Sequence, residues 1–71
     1  MGRPKLSDWQ DGNTKPTEIG VYQRRHYGQL FWSYWHGEFW SILTPSRAQA
    51  HRDATRPFRG QYQDVQWRGK L

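Results

Sequence analysis

Cysteine is absent from this 71-residue chain, so neither a disulfide nor a thiolate metal site is there to staple a domain of a size that usually needs one. Aliphatic residues are scarce: the hydrophobic fraction is 34% and mean hydropathy is −1.17. Chains so poor in Leu, Ile and Val ordinarily bury too little surface to fold. No apolar run approaches the roughly 20 residues of a membrane span, and no signal-peptide core is present, which leads us to expect a cytosolic protein. Acidic residues are few too, six against eleven Lys and Arg, giving a net charge of +5 and a pI of about 10.1. Such a balance favours acidic partners, whether nucleic acid or an acidic protein face.

The groups that carry catalysis are thin as well. His26, His36 and His51 are too scattered for a metal site, and Asp and Glu stand singly. No Gly-rich phosphate loop precedes a helix, and no serine has a nucleophile's context. The expectation is a non-enzyme with no cofactor and no metal.

What the chain does have is aromatic rings, 17% of its residues. Each buries roughly 150–250 Å², so a few large side chains can replace a conventional aliphatic core. Half of the twelve rings lie in Gln29–Leu43: Phe31, Trp32, Tyr34, Trp35, Phe39 and Trp40. His36-Gly37 interrupts this stretch and suits a chain reversal. A type I′ turn there pairs Trp35 with Glu38, Tyr34 with Phe39 and Ser33 with Trp40; a bulged turn shifts the pairing by one residue. Since a hairpin alone is unstable, Ile19–Tyr27 is expected to join it. The fold class is therefore α+β, a three-stranded antiparallel meander over about 19–27, 29–36 and 38–43.

Around the sheet, Trp9 reads as an anchor before an Asp11-Gly12-Asn13 turn in which Gly supplies positive φ. Thr44-Pro45 is expected to cap and open a short helix at about 45–54 that lays Ala48, Ala50 and Ala54 against the sheet. Phe58, Tyr62, Val65 and Trp67 are spaced as anchors of an extended C-terminal tail packed on it. Trp35, Trp40 and Trp67 are assigned to the core, while Trp32 and Tyr34 are divided between core and surface. Residues 1–8, including an AT-hook-like Gly2-Arg3-Pro4-Lys5, read as a flexible solvated tail, 9–68 as one domain and 69–71 as a frayed end.

Positive charge gathers in 45–71, which holds +4 of the net +5, and Arg outnumbers Lys eight to three. Arg suits bidentate contacts and stacking. Arg24, Arg25, Trp32, Tyr34, Arg47, Arg52, Arg56 and Arg59 make up the candidate interaction surface; if helix and tail lie on one side of the sheet, their arginines form a basic stripe, and the Arg24-Arg25 end of the first strand is expected to emerge into solvent.

A longer pattern runs through the chain: Trp9-x-Asp11-Gly12-x-x-Lys15-Pro16, Gly20-Val21-Tyr22-x-Arg24, Ser33-x-Trp35-x-Gly37-x-x-Trp40, Thr44-Pro45 with Ala48, and Tyr62-Gln63-x-x-x-x-Trp67-Arg68-Gly69. In this order it resembles a group of small uncharacterised proteins of tailed bacteriophages and prophages, over about residues 9–70. His36 stands where that group usually has Asp, and Lys70 where Leu is usual. The resemblance implies a phage genome and a host bacterial cytoplasm, and it brings no activity or binding residues. Two functions follow as expectations: an accessory protein that binds a host protein through an aromatic, Arg-rich surface, or a small basic nucleic-acid-binding protein using the arginines of 45–71. Oligomeric state is not legible.

Overall fold

The computed structural model describes residues 9–69. The tail expected over 1–8, and Lys70 and Leu71 of the fraying end, lie outside the described residues. Strand β1 (Gly20–His26) pairs antiparallel with β2 (Gln29–Trp35) and, on its other side, with β3 (Gln66–Arg68), giving the order β2-β1-β3. One short helix, α1 (Arg47–Arg52), continues into a 3-10 turn at Asp53–Thr55 and packs against β2 and β1. The α+β class, the three-stranded antiparallel sheet and the short helix thus agree with the sequence. No helix among the described residues is long and apolar enough to cross a membrane.

The third strand is not the expected one. It comes from the C-terminal Gln-Trp-Arg, not from 38–43. Residues 40–44 do run beside β2, but only as single bridges, Trp35↔Trp40 and Trp32↔Thr44. The pairing slips by one residue between these bridges because the Ser41 side chain intervenes. Tyr34 N–H donates to Ser41 Oγ at 2.9 Å, while Ser41 N–H donates to the Tyr34 carbonyl at 2.9 Å. A hydroxyl therefore takes the place of a ladder carbonyl, and the strand is broken there. The turn is wider than two residues: Trp35 pairs with Trp40, not Glu38, and His36 N–H donates to the Phe39 carbonyl at 3.0 Å.

A true two-residue turn occurs one connection earlier. Tyr27 and Gly28 have φ of 51° and 75°, between the paired His26 and Gln29. Both central residues of a type I′ turn need positive φ, which Gly28 adopts freely and Tyr27 does not. Strand β1 accordingly ends at His26, not at Tyr27.

Alternation sorts the sheet into two faces. One carries Tyr22, Arg24, Ser33, Trp35 and Trp67, and here the core forms. Trp35, Trp40 and Trp67 are its buried rings, with Tyr22 packed against them. Tyr22 meets Trp40 and Trp67 edge-on at 5.8 and 5.2 Å. The expected tryptophan core is therefore present, although Trp67 enters it from a strand.

Arg24 lies inside this core, fully buried, and not at a solvent-exposed strand end. Its guanidinium sits 3.9 Å above the Trp40 ring. It donates to Ser33 Oγ at 3.3 Å and to the carbonyls of Tyr62 and Val65 at 3.2 Å each. The reason is the approach of residues 62–65, which cross the sheet without joining its ladder and bring inward carbonyls that need donors. Burial lowers the Arg24 pKa to about 9, against which the nearby Asp64 charge acts. The group is still a cation at neutral pH.

Gln63 performs a related service. Its amide accepts from Trp40 N–H at 2.8 Å and donates to the Trp40 and Gly60 carbonyls at 2.9 and 2.8 Å, so a side chain copies a strand's pairing. Val65 is buried with Trp67, whereas Phe58 and Tyr62, expected as anchors, are exposed at 59% and 41%. Of the three helix alanines only Ala50 is buried, and the helix is capped by Ser46, whose Oγ accepts from Gln49 N–H at 3.1 Å, not by Thr44. Thr44 instead bonds the Trp32 carbonyl through its hydroxyl at 3.0 Å. Gly69, placed by sequence in the fraying end, is buried against the Tyr22 ring.

Tyr22 also gives a pH prediction. Its hydroxyl donates to the Glu18 carbonyl at 2.8 Å, and burial first, then the Glu18 charge, raises its pKa above 10.0. From pH 10.0 up through the folded-state value the unfolded chain loses this proton first, so the phenol's contribution to stability declines as pH rises. Tyr22→Phe is expected to flatten the alkaline limb, read from urea midpoints at stepped pH relative to the parent. Parallel limbs in the two proteins would exclude the phenol from alkaline unfolding.

Candidate functional site

The second sheet face is built from Val21, Gln23 and Arg25 of β1, Leu30, Trp32 and Tyr34 of β2, and Gln66 and Arg68 of β3, as the strand registers require. Trp9 joins it from outside the sheet. The chain reaches that position because Gln10 bridges Trp67, donating to its carbonyl at 2.8 Å and accepting from its N–H at 3.3 Å. The Asp11 turn then carries the chain away, with Asn13 N–H on the Asp11 carboxylate at 3.1 Å. Gly12 is needed here for a close approach and not for positive φ: a Cβ at this position would fall 2.0 Å from the Asp64 carbonyl oxygen.

Trp9 lies beside two cations. The guanidinium carbons of Arg25 and Arg68 are each 4.5 Å from its ring centre. Each arginine is also held by a glutamine on the neighbouring strand. Arg25 directs Nε and one Nη to Gln66 Oε1 at 3.1 and 3.0 Å, and Arg68 directs Nε to Gln23 Oε1 at 2.8 Å. A third cation, Arg47 at the start of α1, stands 5.7 Å from the Trp32 ring. Arg68, Arg47, Gln23, Trp32, Val21 and Glu18 line an open hollow of about 280 Å³ on this face.

None of these three arginines has a carboxylate partner among the described residues. The one ion pair there joins Lys15 to Asp64 at 3.2 Å, and Lys15 also donates to the carbonyls of Gly12 and Gln63 at 2.7 and 2.8 Å. Ring contacts and glutamine carbonyls thus fix the direction of Arg25 and Arg68 without neutralising them. Several guanidinium N–H groups remain to meet an anion, in the fork geometry that matches a carboxylate or a phosphate.

The candidates named from sequence are divided by the fold. Arg25, Trp32, Tyr34 and Arg47 come together on this face, the first three of them half-buried. Tyr34 also contacts His36, ring centres 4.8 Å apart. Arg24 is withdrawn into the core. The helix and tail arginines do not share one hollow: Arg52 and Arg56 line a separate one with Ile42 and Asp53, and the exposed Arg59 lines neither. Sequence reasoning missed Trp9, Gln23, Gln66 and Arg68 as site residues. Arg68 sits in the Trp-Arg-Gly ending, but only strand pairing brings it to Trp9. Among the described residues no group of three His, Cys, Asp or Glu could hold a metal ion. No family model matches the chain, and neither a curated protein nor a solved structure is significantly similar to it.

Proposed function

We propose that this chain is a non-catalytic accessory binding protein that engages an acidic region of another protein through the Trp9–Arg25–Arg68 face, with Trp32 and Arg47 as its second half. The setting suggested by the resemblance to phage proteins makes that partner a host bacterial protein. The observation that carries the proposal is the pair of guanidiniums held against Trp9 by neutral glutamines and left without a carboxylate. Half-buried Trp and Arg of this kind dominate the energetics of protein interfaces. Because these arginines are already ordered, less side-chain entropy is lost when a partner's Asp or Glu arrives.

Nucleic acid suits this particular face less well. The Trp9 ring is already occupied by guanidiniums, so it offers no stacking platform, and the arginines of 45–71 are split between two hollows. Affinity capture from a nuclease-treated bacterial lysate tests the proposal. The parent protein is expected to retain a stoichiometric protein, and the Arg25→Ala/Arg68→Ala double variant to bind that protein about tenfold or more weakly. Capture of nothing, or equal capture by the folded double variant, removes the proposal.

A further inference from the structure

Tyr27 occupies a position that a tyrosine should avoid. It is the first residue of the two-residue turn, with φ of 51°, and it is 92% exposed. Asn, Asp and Gly are favoured there, because a bulky residue at positive φ meets its own backbone. The ring does not earn its place by burial, since almost all of it is in solvent. Strain at a residue left almost wholly in solvent points to a role outside the fold.

The ring has company. Tyr27 lies against His26 with centres 4.3 Å apart, and His26 lies against Tyr62 at 4.5 Å, so three rings make a continuous tilted stack at one end of the sheet. Beside it opens a shallow hollow of about 500 Å³ lined by these rings and by Arg25, Gln61 and Gln66. The Gln66 amide accepts from Arg25 through its oxygen, which leaves its two N–H donors, and Gln61 makes no hydrogen bond among the described residues. Asp64, the acidic residue of this hollow, is paired with Lys15.

From this geometry we infer that the hairpin tip is a stacking site for an unpaired nucleobase of a single-stranded nucleic acid. A π-face on Tyr27 receives the base, the amides of Gln61 and Gln66 meet its polar edge, and Arg25 faces the phosphate. The net charge of +5 favours the same polyanion. This site is centred on Tyr27, away from the Trp9 ring, sharing Arg25 and Gln66 with that face, and it stands or falls independently of the protein partner proposed there.

The test exploits the strain. Tyr27→Asn removes the ring and puts a residue suited to the turn in its place, so binding should fall while thermal stability stays the same or rises. The probe is a labelled oligothymidylate of about 12 nucleotides followed by fluorescence anisotropy at low salt. The parent is expected to bind it, Tyr27→Asn to bind about tenfold more weakly, and Tyr27→Phe to match the parent. A duplex of the same length should bind more weakly than the single strand. Undiminished affinity in Tyr27→Asn, or equal affinity for duplex and single strand, overturns the site. So does a proline-rich peptide that binds through Tyr27 when the oligonucleotide does not.

Discussion

Arg24→Ala is expected to remove a large part of the domain's stability at room temperature. The substitution removes the stem that fills the space above Trp40, strands two inward carbonyls, those of Tyr62 and Val65, and leaves Ser33 Oγ only its bond to the Ile42 carbonyl. A cavity of this kind and unsatisfied buried acceptors together cost about 3–5 kcal/mol. A domain this small has roughly 4–10 kcal/mol in all. Arg24→Met separates the two contributions: it keeps much of the volume, leaves the carbonyls unmatched, and should lose about half as much. Urea unfolding followed by near-ultraviolet dichroism of the tryptophans measures both. Parent-like midpoints in the alanine variant would show that the guanidinium is a passenger in the core. The pH dependence has the opposite sign to that of Tyr22. Since the folded value is about 9, well below the ordinary guanidinium range, the unfolded chain holds more protons at this position above pH 9, and Arg24's contribution to stability rises with pH there. Only the difference between parent and Tyr22→Phe isolates the phenol.

Gly12→Ala is expected to be nearly as damaging, although the site is a turn. A methyl group here would lie 2.0 Å from the Asp64 carbonyl oxygen and 2.3 Å from its carbon, and both neighbours are backbone. The turn at 11–14 and the segment at 63–65 must therefore part. Parting them breaks the Lys15 contacts to Gln63 and Asp64 and the bond from the Trp67 indole N–H to the Thr14 carbonyl. We expect a loss of about 3 kcal/mol. Lys15→Met, which cuts the ammonium contacts without steric conflict, should cost distinctly less. Hydrogen exchange at the Gln10 and Trp67 amides reports the opening directly. Slow exchange at both amides in Gly12→Ala would mean that the two segments slide past each other at little cost.

How much of this could be read from the residues alone follows from the range of each interaction. Strands β1 and β2 and the helix were legible because local composition and turn signals define them. The three core tryptophans were legible by elimination, since so few other side chains could form a core. Strand β3 was not, because Gln66-Trp67-Arg68 is too short to show alternation and pairs with residues more than forty positions away. The slipped pairing beside β2 depends on one hydroxyl, Ser41 Oγ, that no periodicity encodes. Adjacent arginines are chemically alike in sequence, yet Arg24 and Arg25 face opposite sides of the sheet, one into the core and one onto the Trp9 face. The Trp9 group was invisible for the same reason as β3: it is assembled by the Gln10–Trp67 bridge, which joins the two ends of the described chain.

That bridge and its counterpart at Thr44 have a consequence for how copies of this molecule meet. In an antiparallel ladder, successive residues turn their backbone groups to alternate sides. On β3 only Trp67 turns outward, and Gln10 takes both of its groups. On β2 the outward residues are Leu30, Trp32 and Tyr34; Thr44 takes both groups of Trp32, and Ser41 takes both of Tyr34. Among the described residues of the two edge strands, Leu30 alone keeps a free edge, at the end next to the turn. A sheet so rich in aromatic residues would otherwise be a template for edge-to-edge polymerisation. With its margins closed by single residues, it has almost no ladder on which to add a strand. A second molecule, of whatever kind, has to be recognised through side chains on the faces and at the tip.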